Sequence, residues 1–271
     1  MNIFNFEMRS IIGQMFIWLI VLTILLGVFM AFFPALQDES MEVIVKSGIN
    51  SMPESMRQFI FPFSENNLND IVKYSANIIK FLNFFIAIFA MLMGLNTLAK
   101  EQSEGTIDYL YSLPNSRVDI VTMKLIANTI VLFIFNLLMA GITVGIIALI
   151  EKNININSVI ITISQVYLYS FVISLVFMSI GMFISSFLKT TSANNTVATL
   201  FVIITVIVGL LRYFSSINVP NIVYMLSPIY VLSPFNVISE NIPMTSLIIY
   251  LGVFVVSSAL SYVIYLNKDF R

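Results

Sequence analysis

Residues 99–124, AKEQSEGTIDYLYSLPNSRVDIVTMK, form a short polar stretch between two long apolar runs. The stretch holds four acidic residues, three basic residues and one proline, whereas the sequence on either side is apolar enough to lie in lipid. Charged side chains are costly in the hydrocarbon core of a bilayer. We therefore predict that this stretch lies outside the hydrocarbon and connects two membrane spans.

Within this stretch, the pattern predicts a short helix over residues 101–113. Ser103 is a possible N-cap, and Glu104 places an acid in the first turn. Apolar residues follow at helical spacing and form one face, namely Ile107, Leu110, Tyr111 and Leu113. Pro114 ends the helix, because proline lacks an amide hydrogen and disfavours a helical conformation in the residue before it. A short surface helix with an apolar face suits contact with another protein.

The composition of the whole chain is that of an integral membrane protein. Of its 271 residues, 59% are hydrophobic and 10% are charged, whereas about 25% of the residues in soluble domains are charged. Several apolar runs exceed the roughly 18 residues that a helix needs to cross a bilayer. We therefore predict an all-α membrane protein in which residues 1–271 form a single transmembrane domain.

Hydropathy predicts six transmembrane helices. Their predicted ranges are 11–33, 78–99, 120–150, 159–188, 194–213 and 246–266. The first run is longer than the apolar part of a secretory signal and lacks a small-residue cleavage site, so we interpret it as a retained span. Apolar residues in positions 1–14 share a helical face, which predicts a helix along the membrane interface before the first span. A frayed start of that span is the alternative.

Two connecting segments are predicted on the outer face of the membrane. Residues 34–77 form a long acid-rich loop in which helical spacing predicts short amphipathic helices. Residues 215–245 contain four prolines in an apolar setting. Proline leaves backbone groups without a hydrogen-bond partner, and such groups are not exposed to lipid. We therefore predict that this segment lies at the interface or re-enters the membrane against protein. An ordinary apolar loop is the alternative.

The distribution of basic residues predicts the orientation of the chain. Lysine and arginine near the ends of spans favour the cytoplasmic side. An even number of spans puts both termini and residues 99–124 on one side, which holds Arg9, Lys100, Arg117, Lys124, Lys189, Lys268 and Arg271. The shorter connections on the other side hold Lys152 and Arg212. We therefore predict that both termini and the helix at 101–113 are cytoplasmic.

The sequence lacks the residues that many active and binding sites require. It has no cysteine or histidine, which excludes thiolate metal sites and removes the commonest metal ligand and general base. It has no Gly-Lys pair and therefore no phosphate-binding loop. A net charge of -1 offers no basic field to nucleic acid. We predict no catalytic residue, no metal site, no cofactor bound by this chain and no nucleic-acid partner.

Uncharged polar residues do occur within the predicted spans, which have essentially no ionisable residue away from their ends. Most of these polar residues are expected to form hydrogen bonds between helices. The alternative interpretation is that some of them line a substrate path. The five candidates are Asn83, Asn128, Asn136, Ser174 and Asn195. The spacings of Gly141 with Gly145 and of Ser174 with Gly181 also suggest close helix contacts.

The stretch 99–124 resembles the coupling region of ABC transporter permeases of the ABC-2 (exporter) type. In that family a glutamate, a Gly-Thr pair, spaced apolar residues, a proline and an arginine precede a lysine that opens the third span. The matching residues here are Glu101, Gly105, Thr106, Ile107, Leu110, Pro114, Ser116, Arg117 and Lys124. Weaker similarity extends along the chain to Glu7, the six spans and the proline-rich segment, but the last residues depart from the family's pattern.

The resemblance implies that a separate cytoplasmic ATP-binding subunit binds the helix at 101–113. Ile107, Leu110 and Leu113 would fill the apolar part of a cleft on that subunit, and the residues at its rim would be Glu101, Glu104, Asp108 and Arg117. ATP and magnesium would be bound by the partner. One chain supplies half of a pathway, so the resemblance also implies a homodimer or a heterodimer with a sister permease.

The expected function is export across a bacterial plasma membrane. The apolar interior is compatible with an amphipathic or apolar cargo, such as an antimicrobial peptide, a drug or a lipid. Two alternatives remain open. A structural or assembly protein of the membrane would show no dependence on ATP hydrolysis by a partner. A membrane-embedded lipid enzyme would need a nucleophile and a base at the interface, for which Glu240 with Tyr224 or Tyr230 is the best available set.

Overall fold

The computed structural model describes residues 3–54, 56–57, 70–106, 116–214, 221–239, 242 and 244–268. Six helices within these ranges are long and apolar enough to cross a membrane. The prediction of an all-α membrane protein with six long apolar helices is therefore confirmed.

The helices that could cross the membrane are α1 (Ile3–Met30), α4 (Ile71–Ser103), α5 (Arg117–Ile150), α6 (Ile156–Ser185), α7 (Asn194–Phe214) and α11 (Met244–Asn267). Short helices connect them: α2 (Phe33–Leu36), α3 (Glu39–Asn50), α8 (Asn221–Tyr224), α9 (Pro228–Val231) and α10 (Pro234–Ile238). The predicted interfacial segment and the first predicted span form one continuous helix, α1. The helix that contains predicted span 78–99 begins earlier, at Ile71.

Side-chain caps define where three of the long helices begin. The carboxylate of Asp70 accepts hydrogen bonds from the backbone N–H groups of Val72 and Lys73, at 2.9 and 3.3 Å. At the start of α5, Ser116 and Asp119 each accept a bond from the other's backbone N–H, both at 3.1 Å, and form a capping box. Asn155 caps α6. These bonds satisfy N–H groups that have no partner inside the helix.

Helix α4 lies at the centre of the fold and crosses α6 in direct backbone contact. A Cβ atom on Gly94 would lie 2.1 Å from the carbonyl oxygen of Met178, and one on Gly181 would lie 2.5 Å from that of Met91. Small residues allow such close approach in membrane helices. The suggested contact at Gly181 is thus present, whereas Cβ atoms on Gly141 and Gly145 would meet nothing within 4 Å.

The described part of the proline-rich segment before α11, residues 221–239, packs against protein. Helix α10 contacts both α4 and α6. The ring of Tyr230 lies against Gly209 of α7, where an added Cβ would come within 2.0 Å of it. The side-chain amide of Asn236 donates to the carbonyls of Tyr230 and Val231, at 3.1 and 2.9 Å. Side chains therefore satisfy backbone groups that the short helices leave unbonded.

Candidate functional site

The predicted coupling helix begins differently from the sequence-based expectation. Glu101 to Ser103 are the last residues of α4, Glu104 is its C-cap, and Gly105 follows with φ of 69°. Glycine at this position is a common way to end a helix, because it adopts the left-handed conformation without a Cβ penalty. Ser103 thus does not cap a new helix. This is a correction to the predicted start at residue 101.

The rest of the predicted coupling helix falls on residues 107–113. Residues 107–115 lie outside the described residues, and they include Ile107, Asp108, Leu110, Leu113 and Pro114. The described residues that lead into this segment, Glu104, Gly105 and Thr106, are exposed. We call residues 104–116 the coupling segment.

Lys124 joins three helices at the base of the coupling segment. Its ammonium group, on α5, donates to Glu7 of α1 at 2.8 Å and to Glu101 of α4. The side chain of Lys124 is 1% exposed, and those of Glu7 and Glu101 are 11% and 12% exposed. Glu101 is therefore engaged in an internal ion cluster, whereas the family resemblance implied that it lies at the rim of a partner's cleft.

This cluster of Glu7, Glu101 and Lys124 combines two carboxylates with one ammonium group in a nearly dry environment. Buried charges are tolerated when they are paired and hydrogen-bonded, and removing one partner leaves the others uncompensated. The three residues are far apart in sequence, with 117 positions between Lys124 and Glu7 and 23 between Lys124 and Glu101. Only the family resemblance singled out all three residues, and it gave no sign that they meet.

A second contact ties α1 to the end of α4. The ammonium group of Lys100 donates to the hydroxyl of Ser10 at 2.6 Å. Lys100 precedes Glu101 and Ser10 lies one turn after Glu7, so this bond runs beside the ion cluster. The first turns of α1 are consequently held against the helix that leads into the coupling segment.

Arg117 ties the other end of the coupling segment to α11. Its guanidinium donates to the carbonyls of Leu266 and Lys268, both at 3.1 Å. Lys268 in turn donates to the carbonyl of Leu188 at 3.0 Å. Burial and the nearby charge of Lys189 lower the pKa of Lys268. The predicted rim residue Arg117 thus makes contacts within the chain that fix the start of α5.

The five residues assigned to a substrate path do not form a single group. Asn136 donates to Ser174 at 3.2 Å, which joins α5 to α6. Asn128 donates to Thr97 at 2.7 Å, which joins α5 to α4. Asn83 is buried and neither atom of its amide has a hydrogen-bond partner among the described residues. Asn195 is exposed on α7.

Two of the cavities in the described part of the chain lie between membrane helices. A small one of about 140 Å³ lies between α5 and α6, and its lining includes Asn136, Ser164 and Tyr167. A larger apolar one of about 530 Å³ lies between α1, α3 and α4, and its lining includes Phe29 and Phe81. Asn136 is the one member of the predicted path that lines either of these two cavities. In the ranges that the structure describes, no three Asp or Glu side chains are grouped as they would be to hold a metal ion.

Comparison with known proteins supplies a family. A family model described as ABC-2 family transporter protein matches residues 1–270 of the chain. No curated protein matches the chain.

Proposed function

The chain belongs to the ABC-2 family of transporter proteins and is a multi-pass permease component of an ABC transporter, and from this we propose that it is the membrane-spanning half of an exporter driven by a separate cytoplasmic ATP-binding subunit. The ion cluster of Glu7, Glu101 and Lys124 is the observation that carries the proposal. It joins the helix that enters the coupling segment to the helix that leaves it.

The cluster gives the coupling segment a stiff base. A force on a loop whose flanking helices are separate deforms the loop, whereas a force on a loop whose flanking helices are joined moves both helices. The helices that flank the coupling segment are α4 and α5, which the cluster joins to each other and to α1. The ATP-binding subunit would therefore displace three helices together when it moves the coupling segment.

The partner would contact the exposed part of the coupling segment. Glu104, Gly105 and Thr106 are exposed, and the predicted contact residues that follow them are Ile107, Asp108, Leu110, Leu113 and Pro114. In this proposal Glu101 and Arg117 support the segment from inside the chain rather than touch the partner. ATP and Mg²⁺ would be bound by the partner alone.

The proposal extends to assembly and cargo. Both termini would be cytoplasmic, following the lysine and arginine distribution. Two permease chains, identical or related, would enclose the pathway in a bacterial plasma membrane. The cargo would be amphipathic or apolar, such as an antimicrobial peptide, a drug or a lipid, because the spans have few ionisable residues.

Affinity purification from the native membrane tests the central claim. A chain tagged at its carboxyl end should bring down a soluble protein with a phosphate-binding loop, which mass spectrometry identifies. Leu110→Asp should abolish this capture, because a charge would enter the predicted apolar contact. Asn153→Lys, at an exposed residue predicted on the opposite side of the membrane, is the matched control. Capture of membrane proteins alone would contradict the proposal and favour the assembly function.

The enzymatic alternative gains no support from the site it requires. Tyr224 donates its hydroxyl to the carbonyl of Tyr230 at 3.1 Å, which is a structural use of that group. Glu240 lies outside the described residues.

A further inference from the structure

Side chains at the end of α6 and the start of α7 form hydrogen bonds with the backbone of α4, near the end of α4 that leads into the coupling segment. The hydroxyl of Ser185 donates to the carbonyl of Leu95 at 2.7 Å. The same hydroxyl accepts from the backbone N–H groups of Leu98 and Ala99, at 3.1 and 3.0 Å. Ser185 is fully buried, and it ends α6.

Ser185 bridges two groups that an uninterrupted α-helix bonds directly. In a regular helix the N–H of residue 99 donates to the carbonyl of residue 95. A side chain placed between such groups is one of the recognised causes of helix bending. The hydroxyl of Ser185 donates one hydrogen bond and accepts two, so its donor and both of its acceptor positions are used by α4.

Asn194 makes a second attachment to the same turn. Its side-chain amide, at the start of α7, donates to the carbonyl of Leu95 at 3.2 Å and to the side chain of Asn96 at 2.8 Å. Farther along α4, Ser103 meets Thr191 with 3.1 Å between their hydroxyl oxygens. The end of α6, the connection and the start of α7 therefore follow the last two turns of α4.

We propose that residues 95–99 are a hinge in α4, and that Ser185 and Asn194 are positioning residues that set the direction of the helix end from which the coupling segment leaves. Two arrangements of this turn are available. In one, Ser185 bridges Leu95 and Ala99, as observed. In the other, the N–H of Ala99 bonds only the carbonyl of Leu95, as in a regular helix, and α6 is released from this turn.

The role of the hinge in transport rests on the proposed function, in which a separate subunit moves the coupling segment. A displacement of the coupling segment would shift the turn between its two arrangements and would reach α6 and α7 through Ser185 and Asn194. The ion cluster, at Glu101, lies between this turn and the coupling segment and carries the same displacement to α1 and α5. The hinge thus divides the movement between two sets of helices.

Distance measurement between two spin labels tests the hinge without a partner or a cargo. The chain has no cysteine, so labels can be placed at Phe81→Cys and Glu104→Cys without other changes. Both positions are exposed and lie on α4 on either side of the hinge. An unbroken helix would separate their backbones by about 35 Å. Ser185→Ala should shift the measured distance toward that value, because it removes the hydroxyl whose insertion favours a bend in α4.

A neighbouring serine supplies the matched control. Ser186 is equally buried, but its hydroxyl donates only within its own helix end, to the carbonyl of Phe183 at 2.6 Å. Ser186→Ala should leave the distance unchanged. Asn194→Asp, which keeps the size of the side chain and removes the donor, should shift the distance in the same direction as Ser185→Ala. Identical distributions in the wild type, Ser185→Ala and Asn194→Asp would overturn the hinge.

The role in coupling has its own readout. For this measurement the second label moves from Glu104, a proposed partner contact, to the exposed Ser192 in the connection between α6 and α7. With the co-purified ATP-binding subunit, the chain labelled at Phe81→Cys and Ser192→Cys should change its label distance on addition of ATP and vanadate. Ser185→Ala should bind the subunit equally well and lose this change. An equal response of the two proteins would overturn the positioning role. Failure to capture any ATP-binding subunit would contradict the proposed function instead, and it would leave the distance measurement on the isolated chain as the test of the hinge.

Discussion

Replacement of Lys124 by methionine should destabilise the protein strongly while leaving its apolar packing nearly intact. The substitution keeps an unbranched side chain of similar length and removes the ammonium group that contacts Glu7 and Glu101. Both carboxylates are then buried without a counter-charge. Breaking a buried ion pair in this way costs about 3–5 kcal/mol. We expect a loss of that order in the free energy of unfolding.

The assay can use the single tryptophan of the chain. Trp18 lies in α1 with its ring centroid 5.7 Å from that of Phe89 in α4, so its fluorescence reports whether these helices are packed together. Unfolding in mixed micelles of a mild detergent and dodecyl sulfate, followed at Trp18, gives the change in free energy.

A triple variant separates the loss of charge balance from other effects. Glu7→Gln and Glu101→Gln, added to Lys124→Met, remove all three charges. The uncompensated buried charges are then gone, and only the smaller cost of two buried amides remains, so the triple variant should be more stable than Lys124→Met alone. A cost below about 1 kcal/mol for Lys124→Met, or a triple variant no more stable than the single one, would refute the reasoning.

Three further predictions concern other parts of the chain. Gly94→Ala should prevent correct packing of α4 on α6, because its Cβ would lie 2.1 Å from a backbone oxygen, whereas Gly141→Ala should be tolerated; yield and monodispersity in detergent compare the two. Asn128→Leu should cost about 0.6 kcal/mol, the average for a hydrogen bond between membrane helices, and should leave transport unchanged if its bond to Thr97 is structural; a transport defect at normal stability would instead place it on the pathway. Glu104→Cys should react with a membrane-impermeant maleimide only from the cytoplasmic side and Ser40→Cys only from outside, and the reverse pattern would contradict the predicted orientation.

The sequence was sufficient to predict the membrane helices because the thickness of the bilayer sets a minimum apolar length. It was less informative about where helices end. Helix α4 continues through charged residues to Ser103 and is capped by Glu104, and the left-handed conformation of Gly105 prevents it from continuing. Ser103 and Glu104 suggested the start of a new helix, but Gly105, two positions after Ser103, instead marks the end of α4.

The contacts of the candidate site depended on distant neighbours that no local pattern encodes. Glu101 was correctly singled out by its motif, but its partners come from α1 and α5. Ser185 was not singled out at all, because a serine in an apolar helix ordinarily bonds a carbonyl of its own preceding turn. Only the close approach of α4 and α6 brings its hydroxyl to another helix.

The glycine crossing also determines which parts of the protein are able to rearrange. Two helices whose backbones touch have no side-chain layer that could slide or repack, so α4 and α6 are expected to stay together at the Gly94–Gly181 crossing throughout a transport cycle, while the turn at 95–99 bends. The most hydrophobic stretches of these two helices are 83% and 67% buried, against 22% or less for those of α1, α7 and α11. Changes of neighbour during the cycle should therefore occur at the three outer helices. Lipid thickness and composition would act on the rate of transport through the same three helices.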